Sequence, residues 1–145
     1  MARRERKGGM MREILFKAKR KDNGEWVEGL PGYDINGKIT EIEVYKKVFD
    51  CRIYEIDPNT LCQFTGLTDK NGRKIWENDI IKTSQYGVDN GDGRNFAGFD
   101  IFSISFSECS FCLMNKWRRF NLRPNRDMEA IGNIFDNPDL LEEEP

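Results

Sequence analysis

Residues 63–82 read QFTGLTDKNGRKIWENDIIK, and they carry the densest structural pattern in the chain. A short strand-like run leads into Asp-Lys-Asn-Gly, and an amphipathic run leaves it. Asn71 and Gly72 form the pair typical of tight hairpin turns, because both residue types can adopt positive φ angles. Asp69 is expected to accept backbone N–H groups in the turn, and Gly66 to permit a bend before it. The stretch therefore predicts a β-hairpin.

Further turn signals punctuate the chain on both sides of this hairpin. They are Asp22-Asn23-Gly24, Asn36-Gly37 and the Gly-, Asp- and Asn-rich residues 83–98, which we interpret as a long loop. Apolar and polar residues alternate between these signals, for example in REILFKAKR and EWVEG on either side of the first turn. Helix signals are limited to single turns near residues 57–60 and 137–141. The pattern predicts a strand-dominated fold.

The residues that end this stretch allow two interpretations. In the first, Asp79 holds a loop through hydrogen bonds, and the isoleucines after it enter the core. In the second, Glu77 and Asp79 lie on one strand face and, with Asp69, form an oxygen-rich site for a metal ion or for acid–base catalysis. The spacing is not that of an EF-hand loop, and no second carboxylate cluster is identifiable in the sequence. We therefore favour structural turn residues.

The composition excludes several kinds of active site. The 145-residue chain contains no histidine, so triads that use histidine and histidine metal sites are not available. Cys109 and Cys112 have the CxxC spacing of a zinc knuckle or a redox pair. They lie in a strand-like run and open no helix, so we predict reduced packing cysteines, with zinc or redox use as the alternative. We predict no metal site, no cofactor and no enzymatic activity.

The first ten residues, MARRERKGGM, differ from the rest of the chain because they are basic and have no apolar period. They could form a flexible basic arm that contacts phosphates. We favour a translated leader at residues 1–10, with the natural start at Met10 or Met11, because Lys-Gly-Gly before a methionine can be encoded by a purine-rich ribosome-binding sequence. This segment holds four cations and one anion, so without it the net charge of −2 becomes −5. That charge argues against general affinity for polyanions.

Three blocks of the sequence resemble the YopX family. They are MREILFKA at residues 11–18, the motif at residues 63–81 and IGNIFDNPDLL at residues 131–141. Asn78 stands where a glycine is usual in the family. The resemblance implies a small phage or prophage protein of unknown function whose C-terminal part is an SH3-like β-barrel, and it supplies no catalytic residues. Gly132 and Asn133 belong to the final block, which would return as the last strand.

These observations together predict a mainly β protein. We expect a small SH3-like barrel over residues 61–141, an N-terminal β-hairpin lobe at residues 11–60 and an acidic tail at residues 142–145. No apolar run reaches the length of a membrane span, so we expect a cytoplasmic protein that does not contact a membrane.

A basic-aromatic segment near the C-terminus is the strongest binding candidate in the sequence. On a strand, its aromatic and cationic side chains would be divided between two faces, as in small barrels that bind single-stranded nucleic acid. The other interpretation is that an aromatic face packs inward while the arginines are solvated, and the acidic balance of the chain favours it. The segment consists of Lys116, Trp117, Arg118, Arg119, Phe120, Arg123 and Arg126.

The sequence therefore supports two functional hypotheses. The first is a non-enzymatic interaction module that binds a protein, including a second copy of itself as a homo-oligomer, in the bacterial host of a phage or prophage. The alternative is a β-barrel that binds single-stranded nucleic acid through residues 116–126. An exposed apolar surface would favour the first hypothesis, and a continuous positive groove with exposed aromatic rings would favour the second.

Overall fold

The computed structural model describes residues 12–84, 100–124 and 127–141. The predicted leader at 1–10, the tail at 142–145, nearly all of the predicted loop at 83–98, and Arg126 lie outside the described residues. Within them the chain forms eleven β-strands, two short 3₁₀ helices and no α-helix, so the prediction of a mainly β fold is confirmed. No helix in this part of the chain is long and apolar enough to cross a bilayer.

Eleven strands follow one another along the described residues. They are β1 (Phe16–Lys19), β2 (Trp26–Tyr33), β3 (Ile39–Lys47), β4 (Asp50–Glu55), β5 (Cys62–Thr68), β6 (Lys74–Trp76), β7 (Asp79–Thr83), β8 (Asp100–Ser107), β9 (Ser110–Met114), β10 (Arg119–Asn121) and β11 (Glu129–Asn133). The 3₁₀ helices span Pro58–Thr60 and Pro138–Leu141, where the sequence predicts single helical turns.

The described strands form two open antiparallel sheets rather than a closed barrel. The first has the order β4-β3-β2-β1-β5-β6 and the second the order β10-β9-β8-β7-β11. The SH3-like barrel predicted over residues 61–141 is therefore not confirmed. The physical reason lies in β5, which pairs with β1 through Phe16 opposite Gln63 and Lys17 opposite Cys62. Hydrogen bonding of the first sheet thus continues past residue 60, where the sequence predicts the boundary of the N-terminal lobe.

The first sheet curls around a small core. An isolated bridge joins Arg20 to Ile56, and the Lys21 N–H donates to the Glu55 carbonyl at 3.0 Å, so the end of β4 returns to the end of β1. Ala18, Ile42 and Ile56 are fully buried inside this curl. The strands of this region are held by apolar burial on one face of the sheet.

The second sheet has its own core. Six fully buried apolar residues form it, and one of them, Ile75, belongs to the neighbouring sheet. The cluster is Ile75, Ile81, Phe102, Ile104, Leu113 and Met128. Ile80, beside Ile81, is also fully buried, so both isoleucines after Asp79 enter the interior.

The chain passes from the first sheet to the second over residues 76–79. The Glu77 N–H donates to a carbonyl of β5 at 2.9 Å, and the next N–H, of Asn78, donates to a carbonyl of β8 at 2.8 Å. Asn78 has φ +69°, a left-handed conformation that asparagine tolerates better than most residues. This conformation suits the asparagine, which stands where the resemblance to the YopX family implies a glycine.

The turns predicted at Gly24, Gly37 and Gly72 are present in the structure. Gly24, Gly37 and Gly72 have φ angles of +72°, +80° and +79°. Gly66 also has a positive φ, of +89°, which supports the predicted bend in β5. Asn71 was expected to share the left-handed conformation of the pair, but it is not among the residues with positive φ. The turn is instead closed by Asp69, whose backbone carbonyl accepts the Gly72 N–H at 3.0 Å.

Replacing Gly72 by valine should lower the free energy of unfolding by about 1 kcal/mol or more, because a β-branched residue resists positive φ. A Cβ at Gly72 would meet no atom within 4 Å, so the cost would come from the backbone alone. Gly72→Asn is the matched control and should lose less, since asparagine tolerates this conformation. Denaturant titrations measure the free energy of unfolding of the original protein and both variants. A valine variant as stable as the original protein would contradict the positive φ assigned to Gly72.

Candidate interaction surfaces and the family motif

Asp69 connects the central hairpin to the second sheet. Its Oδ1 accepts the N–H groups of Asn71 and Arg73 at 2.9 Å, and its Oδ2 accepts the N–H of Ala130, in β11, at 3.0 Å. Burial opposes ionisation of this carboxyl, but the three N–H groups outweigh that effect and lower the pKa of Asp69. The side chain is therefore saturated by backbone donors and has a structural role.

Asp79 closes the passage between the sheets. Its Oδ2 accepts the Trp76 N–H at 2.8 Å, as the loop-holding interpretation predicts, and its Oδ1 lies 3.8 Å from the Nζ of Lys17. Burial raises the pKa of Asp79 to about 6, although the charge of Lys17 and the Trp76 N–H act in the opposite direction. Only 7% of the Asp79 side chain and 13% of the Lys17 side chain is exposed.

Lys17 is also enclosed by two indole rings. Its Nζ lies 4.6 Å from the ring centroid of Trp26 and 5.1 Å from that of Trp76, within the range of cation–π attraction. Trp76 in turn contacts Phe64, with ring centroids 5.5 Å apart. Trp26, Trp76, Phe64 and the buried Cys62 belong to one apolar cluster at the junction of the sheets.

The last family block fixes the C-terminal turn. Gly132 lies in β11, where an added Cβ would overlap the carboxamide of Asn137. The Oδ1 of Asn133 accepts the N–H groups of Phe135 and Asp136 at 3.0 and 2.9 Å. Asp136 then binds the first sheet, because its carboxylate accepts from the Lys19 ammonium and from the Trp26 indole N–H. These donors, with Lys19 first, lower the pKa of Asp136 to about 2.

The remaining candidates for catalysis are Glu77 and the two cysteines with CxxC spacing. Glu77 and Asp79 accept hydrogen bonds from different backbone groups. The Oε1 of Glu77 accepts the Gln63 N–H at 3.3 Å. Cys109 is exposed in the turn between β8 and β9, whereas Cys112 is buried in β9. All four cysteines are free thiols. Across the described ranges, no three acidic, cysteine or histidine side chains lie close enough together to hold a metal ion.

The basic-aromatic segment is not one continuous strand. The Asn115 N–H donates to the Arg118 carbonyl at 3.0 Å, which makes residues 115–118 a turn between β9 and β10. The division of the side chains between two strand faces is therefore wrong for the first half of the segment. Trp117 lies on this turn and is 68% exposed, beside the exposed Lys116.

Phe120, Arg118 and Arg119 have protein partners. Phe120 packs edge-on against Phe102, with ring centroids 5.8 Å apart, and so contributes to the core of the second sheet. Arg118 lies 3.8 Å from a carboxylate oxygen of Asp100, and Arg119 3.7 Å from one of Glu108. Arg123 is exposed, and Arg126 lies outside the described residues.

A second exposed surface lies on the outer side of β2, β3 and β4, and we call it the hairpin face. Leu30 is opposite Glu43, and Glu43 is opposite Ile53, so these three side chains form one row across the strands. Tyr45 lies two residues further along β3 and its hydroxyl donates to Glu43 at 2.9 Å. Leu30, Tyr45 and Ile53 are 44%, 59% and 58% exposed. The row is apolar and exposed, with an acidic residue in its centre.

More acidic side chains border the hairpin face. Glu41 and Glu55 are opposite each other in the next row, and the carboxylates of Glu41 and Glu43 lie over Gly32. This surface is not among the binding candidates predicted from the sequence. The sequence of β3 does indicate it. Glu41, Glu43 and Tyr45 alternate along the strand, so an aromatic ring lies on the same face as two acidic side chains.

A cleft of about 540 Å³ adjoins the hairpin face at the end of β4. One wall consists of Arg20, Lys21 and Asp22, at the end of β1, and the other of Ile53, Tyr54 and Glu55. The Arg20 guanidinium lies 4.4 Å from the ring centroid of Tyr54. The cleft exists because the two strand ends separate after the bridge between Arg20 and Ile56.

The fold and these surfaces define an all-β protein of two antiparallel sheets, with exposed apolar and cationic side chains and no cluster of metal ligands in its described part. The chain belongs to the YopX family, because the family model described as YopX protein matches residues 15–142.

A solved structure has a similar fold. It is the crystal structure of protein EF1440 from Enterococcus faecalis, which is 21% identical in sequence and has a TM-score of 0.57. The match covers 90% of this chain and 99% of that one. No curated protein matches the chain. The likeness extends to the fold alone.

The raised pKa of Asp79 gives a pH dependence that can be measured. Folded Asp79 binds a proton near pH 6, whereas in the unfolded chain it does so near its ordinary value of 3.8. Between these values the folded state holds more protons, so the free energy of unfolding should fall as pH rises, by up to about 1.4 kcal/mol per pH unit.

Asp79→Asn keeps an oxygen for the Trp76 N–H but cannot titrate, so this variant should lose that slope between pH 4 and 6. Glu13→Gln, at an exposed position, is the matched control and should keep it. Denaturant unfolding at several pH values measures the slopes, and an unchanged slope in Asp79→Asn would show that this carboxyl is not the titrating group.

Proposed function

We propose that this protein is a non-enzymatic interaction module that binds a partner protein through the hairpin face, in the cytoplasm of a bacterium that hosts a phage or prophage. The observation that carries the proposal is the row of Leu30, Glu43 and Ile53 with Tyr45 beside it, exposed on three paired strands. Contiguous exposed apolar surface with a polar border is typical of protein-binding sites.

The charge of this surface indicates the chemistry of the partner. Glu28, Glu41, Glu43 and Glu55 lie in or around the apolar row, and Glu28 and Glu55 are exposed. The complementary surface would carry a lysine or arginine opposite Glu43, apolar side chains beside it and further basic residues at its border. Such a pair of surfaces would associate more tightly at low salt, because screening weakens attraction between exposed charges.

The test uses the double variant Leu30→Ser with Tyr45→Ser. The immobilised protein is incubated with host extract, the retained protein is identified and purified, and its affinity is measured by calorimetry at two salt concentrations. The double variant should bind at least about tenfold more weakly, since it removes two contacts of about 1 kcal/mol or more each. Ile35→Ser is the matched control, because Ile35 is fully exposed away from the row, and it should bind normally.

Three outcomes would refute the hairpin face as the binding surface: no retained protein, equal affinity of the double variant, or a retained protein without a basic surface. A second copy of the chain is also a possible partner, since exposed strand edges favour pairing. Light scattering across concentrations tests it, and a 17.0 kDa species throughout would exclude the predicted homo-oligomer.

The alternative function, binding of single-stranded nucleic acid, is favoured by one observation. Trp117 is exposed on a turn beside Lys116, where a base could stack on the indole ring. Against it, Arg118 and Arg119 lie near the acidic side chains of Asp100 and Glu108, which reduces the charge available to phosphates. We therefore place this function second.

The two aromatic residues of the segment should respond differently to alanine substitution. Phe120→Ala should lower the melting temperature, because it removes a ring packed on Phe102. Trp117→Ala should leave the melting temperature unchanged and, if the ring stacks on a base, weaken oligonucleotide binding by about 1–3 kcal/mol. The double substitution Arg118→Glu with Arg119→Glu should weaken oligonucleotide binding. The loss of affinity should become smaller as the salt concentration rises.

The measurements are oligonucleotide binding at two salt concentrations and thermal unfolding. The full chain is compared with the chain begun at Met11, so that the basic residues 1–10 cannot account for any affinity. Absence of binding by the chain begun at Met11 would end the nucleic-acid hypothesis.

A further inference from the structure

The outer edge of β4 carries backbone groups directed away from the sheet. The Ile56 N–H donates to the Thr40 carbonyl at 3.1 Å, which identifies that pair as hydrogen-bonded in the ladder with β3. Hydrogen-bonded and non-bonded pairs alternate along antiparallel strands. Because the register continues from Glu55 to Cys51 without a shift, the N–H and C=O groups of Ile53 and Cys51 point outward.

The neighbouring residue confirms this alternation. The backbone N–H and C=O groups of Glu55 should also point outward, and its carbonyl accepts the Lys21 N–H from the end of β1 at 3.0 Å. β1 then turns away, and the cleft of about 540 Å³ opens beside Ile53. Among the residues that the structure describes, no strand pairs with this edge between Cys51 and Ile53.

Other sheet edges are shorter or occupied. β6 and β10, which end their sheets, have three residues each, whereas β4 has six. At β11, the Ala130 N–H is taken by Asp69, and the Met128 carbonyl just before the strand accepts the Lys70 N–H. β4 is therefore the longest edge at which an additional strand could form hydrogen bonds in the described part of the chain.

The side chains around this edge indicate what the additional strand would carry. Arg20 pairs with Asp22, and Lys21 with Glu55, so the charges on the cleft walls are balanced. Arg52 is exposed and forms no ion pair with any described residue. A residue opposite Arg52 would be favoured if it were acidic, and the residues on either side of it would lie beside Cys51 and Ile53, where apolar side chains fit.

We propose that the edge of β4 binds an extended peptide segment by strand addition, with an acidic side chain facing Arg52 and an apolar side chain on each side of it. This inference rests on the proposed function and names the kind of segment that a partner would contribute. Strand addition obtains affinity from main-chain hydrogen bonds and specificity from alternate side chains.

A second copy of the chain fits this edge less well. Two copies could pair their β4 edges around a two-fold axis, with the outward N–H and C=O groups of Cys51 and Ile53 hydrogen-bonded between the copies. This pairing would place Arg52 opposite Arg52 of the other copy. Like charges directly opposite each other destabilise an antiparallel pair. The edge therefore selects a different chain that carries an acidic residue at this position.

The probe is the pentapeptide acetyl-Thr-Val-Glu-Val-Thr-amide, added to the full chain labelled with ¹⁵N and followed by NMR. We expect saturable shifts of the Cys51 and Ile53 amide signals at concentrations up to about 5 mM. A peptide with lysine in the central position should bind about fivefold more weakly, and Arg52→Glu should reverse this preference.

Methylation of peptide nitrogens tests the hydrogen bonds. In the expected antiparallel register, the two valine N–H groups point at β4, so methylating both nitrogens should abolish binding. The central N–H points away, so methylating that nitrogen alone is the matched control and should leave affinity within about twofold.

Two variants of the protein test the edge from the other side. Ile53→Pro removes an outward N–H without breaking a bond to β3, and it should weaken peptide binding by about threefold to tenfold. Ile53→Thr keeps the N–H and should bind normally. The spectrum of each variant shows whether the fold is retained.

The proposal is overturned by an absence of saturable shifts, by shifts away from Cys51 and Ile53, or by equal binding of the peptide methylated on both valines. These outcomes are independent of Leu30 and Tyr45. A failure of strand addition can therefore be distinguished from a failure of the hairpin face as a protein-binding surface.

Discussion

Lys17 makes the contact on which the arrangement of the two sheets depends. Its ammonium group lies between the rings of Trp26 and Trp76, in the first sheet, and near the carboxylate of Asp79, the first residue of the second sheet. Burying both charges is costly, and at neutral pH loss of the Lys17 charge would leave the Asp79 carboxylate buried without its partner. The indole rings reduce the cost by attracting the cation while they exclude water.

The same region explains how the chain changes sheets within so few residues. Consecutive N–H groups, of Glu77 and Asn78, donate to different sheets, and Asp79 closes the turn by accepting the Trp76 N–H. Burial of an ionised carboxyl for this purpose is costly near neutral pH, as its raised pKa shows. The sharp change of backbone direction occurs at Asn78, which adopts a left-handed conformation.

The residues of the family motif hold the junction between the sheets together. The surfaces available for binding therefore lie elsewhere. Asp69, Asp79 and Asn133 are saturated with backbone donors or with Lys17. Leu30, Tyr45 and Ile53 are exposed instead on the outer side of the N-terminal hairpins, where no described element covers them. Residues that stabilise the fold and residues that we propose to bind a partner are thus separate, and each set can be altered without the other.

The sequence by itself determined the strand-dominated fold of this protein and its turns at Gly24, Gly37 and Gly72. Glycines at positive φ, the Asp69 turn and the period-two alternation depend on residues close together in the chain, so local chemistry was sufficient to place them. The role of Asp79 as a loop-holding residue was predicted for the same reason, because its acceptor bond spans three residues.

Only the tertiary structure decided what the strands pair with and which side chains they bury. β5 was expected in a C-terminal barrel, but its hydrogen-bonding groups are taken by β1, a strand more than forty residues earlier. Phe120 and Trp117 have similar surroundings in the sequence, yet one packs on Phe102 and the other is exposed. Strand pairing and burial depend on distant parts of the chain, and no local pattern contains that information.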